Sequence, residues 1–223
     1  MDNNDRLDFP YEIARKAIHL SSLSIPLIYW HISRELTLLL LVPLFAGFFF
    51  VDLLKNFVTP LSGWYHRTFG SILREHELQG IKGQFNGATC IMMSAVLLVF
   101  FFPKIIAIAS FSMVSVSDTF ASIVGKSIGK HRFGKKSLEG SAAFFLTAIL
   151  VVLVIPGLDW RIGLVMAAVG TVTEAFVVSI GSYRIDDNLT IPLASALAGM
   201  LCYLLFMPAD IPLLNGIPEC CRP

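Results

Sequence analysis

Charge is scarce in this chain. Asp, Glu, Lys and Arg supply 15% of its 223 residues against 55% hydrophobic ones, whereas a soluble domain is about one quarter charged. So little charge disfavours a disordered chain, a secreted disulfide scaffold and a nucleic-acid binder. Cysteine is scarce as well. Cys90 and Cys202 lie inside apolar runs, and Cys220 and Cys221 are neighbours that cannot easily bridge each other, so no disulfide framework is expected. The N-terminal segment MDNNDRLDFPYEIARK has no basic n-region and no small-x-small site after it, so it does not read as a secretory signal. There is no low-complexity tract, no clear internal repeat and no His/Cys spacing that suggests zinc. With a net charge of +1 and a mean hydropathy of +0.72, the class left standing is a polytopic membrane protein.

What the chain does have is long apolar runs. A bilayer core of about 30 Å needs roughly 20 helical residues. Seven runs approach that length, at about 17–33, 36–54, 86–102, 104–124, 141–157, 161–181 and 189–207. The expected fold is therefore all-α: a single domain of about seven transmembrane helices over 1–223, with a polar segment at about 1–16 and a Pro-rich tail at 208–223. Basic residues hold loops on the cytoplasmic side. With the N-terminus cytoplasmic and the C-terminus outside, only Arg34, Lys104, Arg161 and Arg222 of the 17 Lys and Arg fall on the outer side. His31, His66 and His76 read as interfacial residues near span ends.

An ionised carboxylate inside a span costs at least about 2.5 to 3.5 kcal/mol at the bilayer centre, so it defaults to a functional hypothesis. Asp52, Asp118 and Glu174 fall in the inner halves of the second, fourth and sixth runs, Asp118 and Glu174 about two turns from the inner end. The competing reading makes each a helix-packing or snorkelling residue. In the fourth run Ser115, Asp118, Ser122 and Gly125 recur at i, i+3, i+7 and i+10 and share one helix face. A face of that kind serves close helix packing or the approach of a ligand.

Beyond it comes GKSIGKHRFGKKSLEGS, with five basic residues interrupted by glycines. The Gly-Lys-Ser at 125–127 resembles a P-loop, but the glycine that motif needs five positions earlier is Phe120, and apolar helix rather than strand precedes it. Lysines among flexible glycines can still surround a polyphosphate, although a headgroup anchor would carry similar charge. In the last inner loop, YRIDDNLTIP, Asn188 reads as the N-cap of the seventh helix with Pro192 in its first turn. A helix start beside two carboxylates also suits a metal-bound phosphate.

Taken together, Arg15-Lys16-x-x-His19, the NGAT at 86–89 beginning with Asn86, SDTFASIVGKSIGK, KKSLEGS at 135–141, Glu174 and DNLTIPL at 187–193 resemble the CTP-dependent lipid-alcohol kinases. That family includes dolichol kinase, phytol kinase and the yeast-type diacylglycerol kinase, and is related more remotely to phosphatidate cytidylyltransferases. The resemblance runs from about residue 12 to 207. It implies a membrane enzyme that takes CTP with Mg²⁺, transfers the γ-phosphate to the hydroxyl of a membrane lipid alcohol and releases CDP, with its site on the cytoplasmic side and no nucleic-acid partner.

Carried over by position, Asp118 matches the family's Gly-Asp-Ala acid, although Ser117 and Thr119 replace its neighbours. Lys136, Ser137, Glu139 and Gly140 match the Lys-Ser-x-Glu-Gly segment, and Glu174, Asp187 and Asn188 match the later acidic and Asp-Asn positions. The reading this supports makes Asp118 the principal Mg²⁺ ligand, joined by Asp187 or Glu174. Lys136, with Lys126, Lys130 and Lys135, neutralises the triphosphate. Asn188, Ser137, Ser122 and Gly140 line the nucleotide. Glu139, Glu174 and His19 are each candidates for the base, and Arg15, Lys16, Asp52 and Asn86 are further candidates. Two other reactions stay open: a cytidylyltransferase attacking the α-phosphate, and an ion-coupled transporter using Asp118 and Glu174 as a relay.

Overall fold

The computed structural model describes residues 16–54, 85–134, 136–176, 179–180 and 183–214. Arg15, Lys135, His66, His76, Cys220 and Cys221, with the basic residues Lys55, Arg67, Arg74 and Lys82, lie outside the described residues.

The expected runs appear as helices. Residues 16–21 are helical and, after a turn at 22–23, continue into α1 (Ser24–His31). There follow α2 (Arg34–Leu54), α3 (Gly87–Phe101), α4 (Lys104–Ser127), α5 (Leu138–Val154), α6 (Trp160–Ala175) and α7 (Asp187–Phe206), with a short 3-10 turn at Pro208–Asp210. His31 closes α1 as its last residue rather than lying in a loop. Three of the helices, α2, α4 and α7, are long and apolar enough to cross a membrane.

Polar side chains start these helices where the first turn leaves backbone N–H groups without intrahelical partners. Asn86 Oδ1 accepts from Thr89 N at 2.8 Å, Ser137 Oγ from Gly140 N at 3.1 Å and Asp159 Oδ1 from Arg161 N at 2.8 Å. At the start of α7 the cap is Asp186, whose Oδ1 accepts from Asn188 N at 2.9 Å. This corrects the expectation for Asn188: the helix begins two residues earlier, because the carboxylate of Asp186 reaches the second N–H of the turn. Pro192 consequently sits one turn inside the helix.

The sixth run ends sooner than its hydropathy suggests. α6 stops at Ala175, and Ser179–Ile180 (β3) pairs antiparallel with Tyr183–Arg184 (β4). Hydropathy does not distinguish an apolar strand from the last turn of a helix, whereas β-branched Ile180 suits the strand. Glu174 therefore lies in the last turn of its helix, not two turns within it. A second hairpin joins Arg132–Phe133 (β1) to Lys136–Ser137 (β2) in the basic loop, in the register Arg132↔Ser137 and Phe133↔Lys136. The fold is thus helical with two small hairpins at the polar end.

α4 is the axis of the bundle. It packs against α1, α3, α5, α6 and α7. Within its apolar window 78% of the residues are buried, against 17% in α2 and 33% in α7. Its mean hydropathy, 1.5, is also below the 2.3 of α2 and the 2.0 of α7, so the most polar of the three is the one shielded by the others. The surrounding helices expose Leu39, Leu40, Phe50, Leu146, Leu150, Leu153, Leu205 and Phe206, an apolar coat suited to lipid.

At the ends opposite Asp118, Arg34 Nε donates to Val99 O and Lys104 Nζ to Ile32 O, each at 2.9 Å. These bases satisfy carbonyls at the C-terminal ends of α3 and α1.

Small residues let the axis be approached closely. A Cβ at Gly140 would lie 2.9 Å from the carbonyl oxygen of Ala121 and 3.3 Å from Gly125 Cα, and one at Gly125 would lie 3.0 Å from Ser137 Oγ. α4 and α5 therefore meet almost backbone to backbone. Gly140→Val should cost about 1 to 3 kcal/mol through overpacking, whereas Gly47, which faces open space in α2, should tolerate Ala with no loss or a gain of up to about 1 kcal/mol. Unfolding of the detergent-solubilised protein measures both; an unchanged transition for Gly140→Val would contradict the close crossing.

Candidate functional site

Two buried charge groups meet at the end of the bundle where α4 leaves its apolar window. In the first, Lys16 Nζ donates to Asp118 Oδ2 in a close ion pair and to the backbone carbonyl of the same residue at 3.1 Å. His19, one turn further along, lies with Nε2 3.7 Å from Asp118 Oδ2 and 3.3 Å from Val114 O. Ser22 Oγ reaches Ser115 Oγ at 3.2 Å. Lys16, His19 and Ser22 recur every three residues, so one stripe of the N-terminal helix supplies all three contacts to the polar face of α4.

In the second group Lys136, on β2, donates to Glu174 Oε1 at 2.7 Å and to Asp187 Oδ2 at 3.2 Å. Ser141 Oγ donates to the other oxygen, Glu174 Oε2, at 2.9 Å. Glu174 is 3% exposed and Asp187 7%, and desolvation of this kind is sustained only by pairing. The two groups share a field. Burial works against the Lys136 ammonium, but Asp187, Glu174 and Asp118 outweigh it and raise its pKa above the ordinary lysine value. Lys136 is therefore positively charged throughout the physiological range.

The remaining candidates separate. Ser137 and Gly140 lie at the α4–α5 crossing, with Ser137 capping α5. Lys126 and Lys130 are exposed, and Ser122 is half-buried. Asp52 and Asn86 form a cluster of their own, in which Asn86 N donates to Asp52 Oδ2 at 2.6 Å. Asn188 approaches it, with Nδ2 3.3 Å from where a Cβ on Gly87 would stand. Glu139 turns to the hairpin: its Oε1 lies 2.8 Å from His131 Nδ1. That hydrogen bond holds its carboxyl down at about 2. The sign follows: the ionised form is favoured by folding, and the stability it adds is present above the ordinary carboxylate range and lost as pH falls toward 2.

Sequence reasoning missed Ser141, Asp186, Ser22 and His131. Ser141 stands in the quoted KKSLEGS run, and its place beside Gly140 in the first turn of α5 was the available signal. The His131–Glu139 contact spans a hairpin that apolar periodicity does not register.

The buried Lys16–Asp118 pair generates a stability prediction. Removing one partner leaves a buried charge uncompensated, at a cost of about 3 to 5 kcal/mol, whereas replacing both by apolar groups is much less harmful. Lys16→Met should lower unfolding stability by that order, and Lys16→Met combined with Asp118→Leu should recover most of it. If Lys16→Met alone unfolds like the unaltered protein, the pair is not buried as described.

Known proteins resemble the chain over almost all of this architecture. An uncharacterised protein of Rickettsia prowazekii is 30% identical over 193 residues, covering 86% of this chain and 94% of its own length. A CTP-dependent diacylglycerol kinase of Schizosaccharomyces pombe is 30% identical over 211 residues, covering 83% of this chain and 91% of the relative. A probable chloroplastic phytol kinase of Triticum aestivum is 33% identical over 129 residues, 51% of this chain and 42% of the relative. No family profile matches the chain, and no solved structure does. Identity at that level, over nearly the full length of both chains, places the protein in the CTP-dependent lipid kinase family, with the diacylglycerol and phytol kinases.

Proposed function

We propose that the protein is a multi-pass membrane kinase that transfers the γ-phosphate of CTP to the hydroxyl of a membrane lipid alcohol, giving the lipid phosphate and CDP. The acceptor class is diacylglycerol or an isoprenoid alcohol. The seven helices serve as spans of one domain over 1–223, with the N-terminus and the Lys136 end in the cytoplasm and the C-terminus outside. The observation that carries this reading is the convergence of Glu174 and Asp187, from two different helices, on Lys136 at the polar end of the bundle, with Asp118 of the most buried helix within its field. A relay for ions would need polar groups along the whole axis. The α4 residues at the far end are apolar instead, from Ile105 to Ala109.

Phosphoryl transfer asks chiefly for positioning and for neutralisation of charge. Lys136 is the cation that neutralises the triphosphate: a side chain already shared by two carboxylates can exchange one of them for a phosphate oxygen without leaving its site. Ser137 and Asn188 orient the nucleotide, Ser137 from the start of α5 and Asn188 from the start of α7. Lys16 holds Asp118 in place, and the stripe of Lys16, His19 and Ser22 closes the site toward the first helix. A lipid alcohol enters from the side with its hydroxyl at the interface.

The residues also suit Mg²⁺. Two carboxylate oxygens already converge on one cation, the Lys136 ammonium. Mg²⁺ takes only one or two carboxylates and completes its shell with water and phosphate. No group of three His, Cys, Asp or Glu converges among the described residues, and that chemistry does not demand one. Asp118, with Asp187 or Glu174, would hold the ion, which would supply charge for the β- and γ-phosphates.

Purified protein in lipid vesicles, given CTP labelled at the γ-phosphate and a panel of lipid alcohols, tests the reading: label should appear in the lipid. Label released as pyrophosphate would show cytidylyl transfer instead, and nucleotide-free ion flux would show a transporter. Lys136→Gln and Asp118→Asn should each lower turnover by about 100-fold or more, counted per folded molecule because Asp118→Asn also removes one partner of the buried pair with Lys16. Near-normal phosphorylation by Asp118→Asn would remove that residue from the centre.

A further inference from the structure

Lys136 is presented to the carboxylates by a very small device. β1 and β2 are two residues each, and a two-stranded hairpin is at best marginally stable on its own. Successive strand residues point to opposite faces. Here Ser137 turns inward against Gly125, Gly129 and Gly140, while Lys136 reaches Glu174 and Asp187. The register Phe133↔Lys136 makes β1 the backing of the lysine. Something must hold β1 in place, because Arg132 and Phe133 are exposed and bury nothing that would anchor them.

The tie is at His131. Both oxygens of Glu139 accept from the His131 backbone N–H, at 3.2 and 3.3 Å, and Glu139 Oε1 also lies 2.8 Å from His131 Nδ1. The His131 carbonyl accepts from Leu138 N at 2.9 Å. The first turn of α5 therefore grips the residue before β1 through both its backbone groups and its ring. Leu138 and Glu139 follow Lys136 and Ser137 directly, so the grip closes the hairpin on itself across its open end.

We propose that Glu139 is a positioning residue for Lys136: through His131 it clamps the β1–β2 hairpin to the start of α5, and it takes no part as a base. The proposal rests on the reading of Lys136 as the cation that meets the CTP phosphates. The carboxylate of Glu139 is engaged by the backbone and ring of exposed His131, whereas the partners of Lys136 are Glu174 and Asp187. A carboxyl held near 2 is in addition poorly matched to taking a proton at neutral pH.

The clamp and the base differ in what they require of the side chain. A clamp needs an acceptor oxygen, which Gln keeps; a base needs a carboxylate. Glu139→Ala should raise the KM for CTP about tenfold and lower turnover far less than Lys136→Gln does, because Lys136 is then loosened rather than lost. Glu139→Gln should restore KM to within about threefold of the unaltered protein, and His131→Ala should add little to Glu139→Ala in the double variant. Hydrogen exchange at residues 131–138, measured without nucleotide, should quicken in Glu139→Ala and not in Glu139→Gln. That readout decides the clamp even if no lipid is ever phosphorylated, in which case the kinase reading fails separately. A loss of turnover in Glu139→Gln of about 100-fold or more with unchanged exchange would assign Glu139 to the chemistry and overturn the proposal. So would exchange in Glu139→Ala that matches the unaltered protein.

Discussion

Everything in this structure depends on placing carboxylates where water is scarce without leaving them unpaired. Asp118, Glu174 and Asp187 are each more than nine-tenths buried, and an isolated carboxylate in such a place would cost several kcal/mol even after relaxation. Two lysines solve the problem. Lys16 pairs with Asp118 from one side of α4, and Lys136 bridges Glu174 and Asp187 from the other. The lysines come from the two segments that lie outside the apolar core, the N-terminal helical stretch and the basic hairpin, so charge balance itself forces those segments to fold onto the bundle. A helix with no such demand would be free to leave the polar end open.

The same demand explains which helix lies at the centre. A span carrying Asp118 and a run of serines is poorly suited to face lipid, and α4 is enclosed by five neighbours while α2, rich in Leu, Phe and Val, stays on the outside. Enclosure needs room, and small residues provide it. Gly140 lies against Gly125 and the Ala121 carbonyl, and Gly170 on α6 stands where a Cβ would reach Ser195 Oγ at 2.7 Å. Close helix approach and the buried polar end are thus two consequences of one composition: side chains too small for the lipid face and too polar for it.

Most of the helical layout was legible from hydropathy, because apolar runs near span length have few other structures available. The polar end was legible only in part. Asp118, Glu174, Asp187 and Lys136 stand out in sequence since charge beside an apolar run is costly, and the fold brings these four together. The pairing itself was not readable: that Lys16 serves Asp118 across 102 positions, while Lys136 serves Glu174 and Asp187, follows from helix packing and not from any local pattern. The end of α6 was misread for a related reason. Hydropathy reports burial, and Ile180 is apolar whether it continues a helix or pairs in a strand. The cap of α7 shifted from Asn188 to Asp186 because both residue types can cap a helix, each accepting from an N–H two or three positions on, and only the backbone path chooses between them.

The glycine-lysine segment shows how a motif can mislead and inform together. Read as a phosphate loop, its glycines would free the backbone to wrap an anion. In the folded chain Gly125, Gly129 and Gly140 instead admit Ser137 and a crossing helix, while the described lysines diverge: Lys126 and Lys130 are exposed and Lys136 turns to Glu174 and Asp187. Among the described bases of this segment, Lys136 is thus a directed cation while Lys126, Lys130 and Arg132 are exposed. Direction comes from the hairpin, whose alternation sends Ser137 inward as it sends Lys136 across to α6 and α7. A lysine so placed is balanced by two acids at rest and has a third, Asp118, within its field. On the proposed reading, an incoming polyphosphate would meet a lysine already held inside the bundle by Glu174 and Asp187 and would compete with them for it.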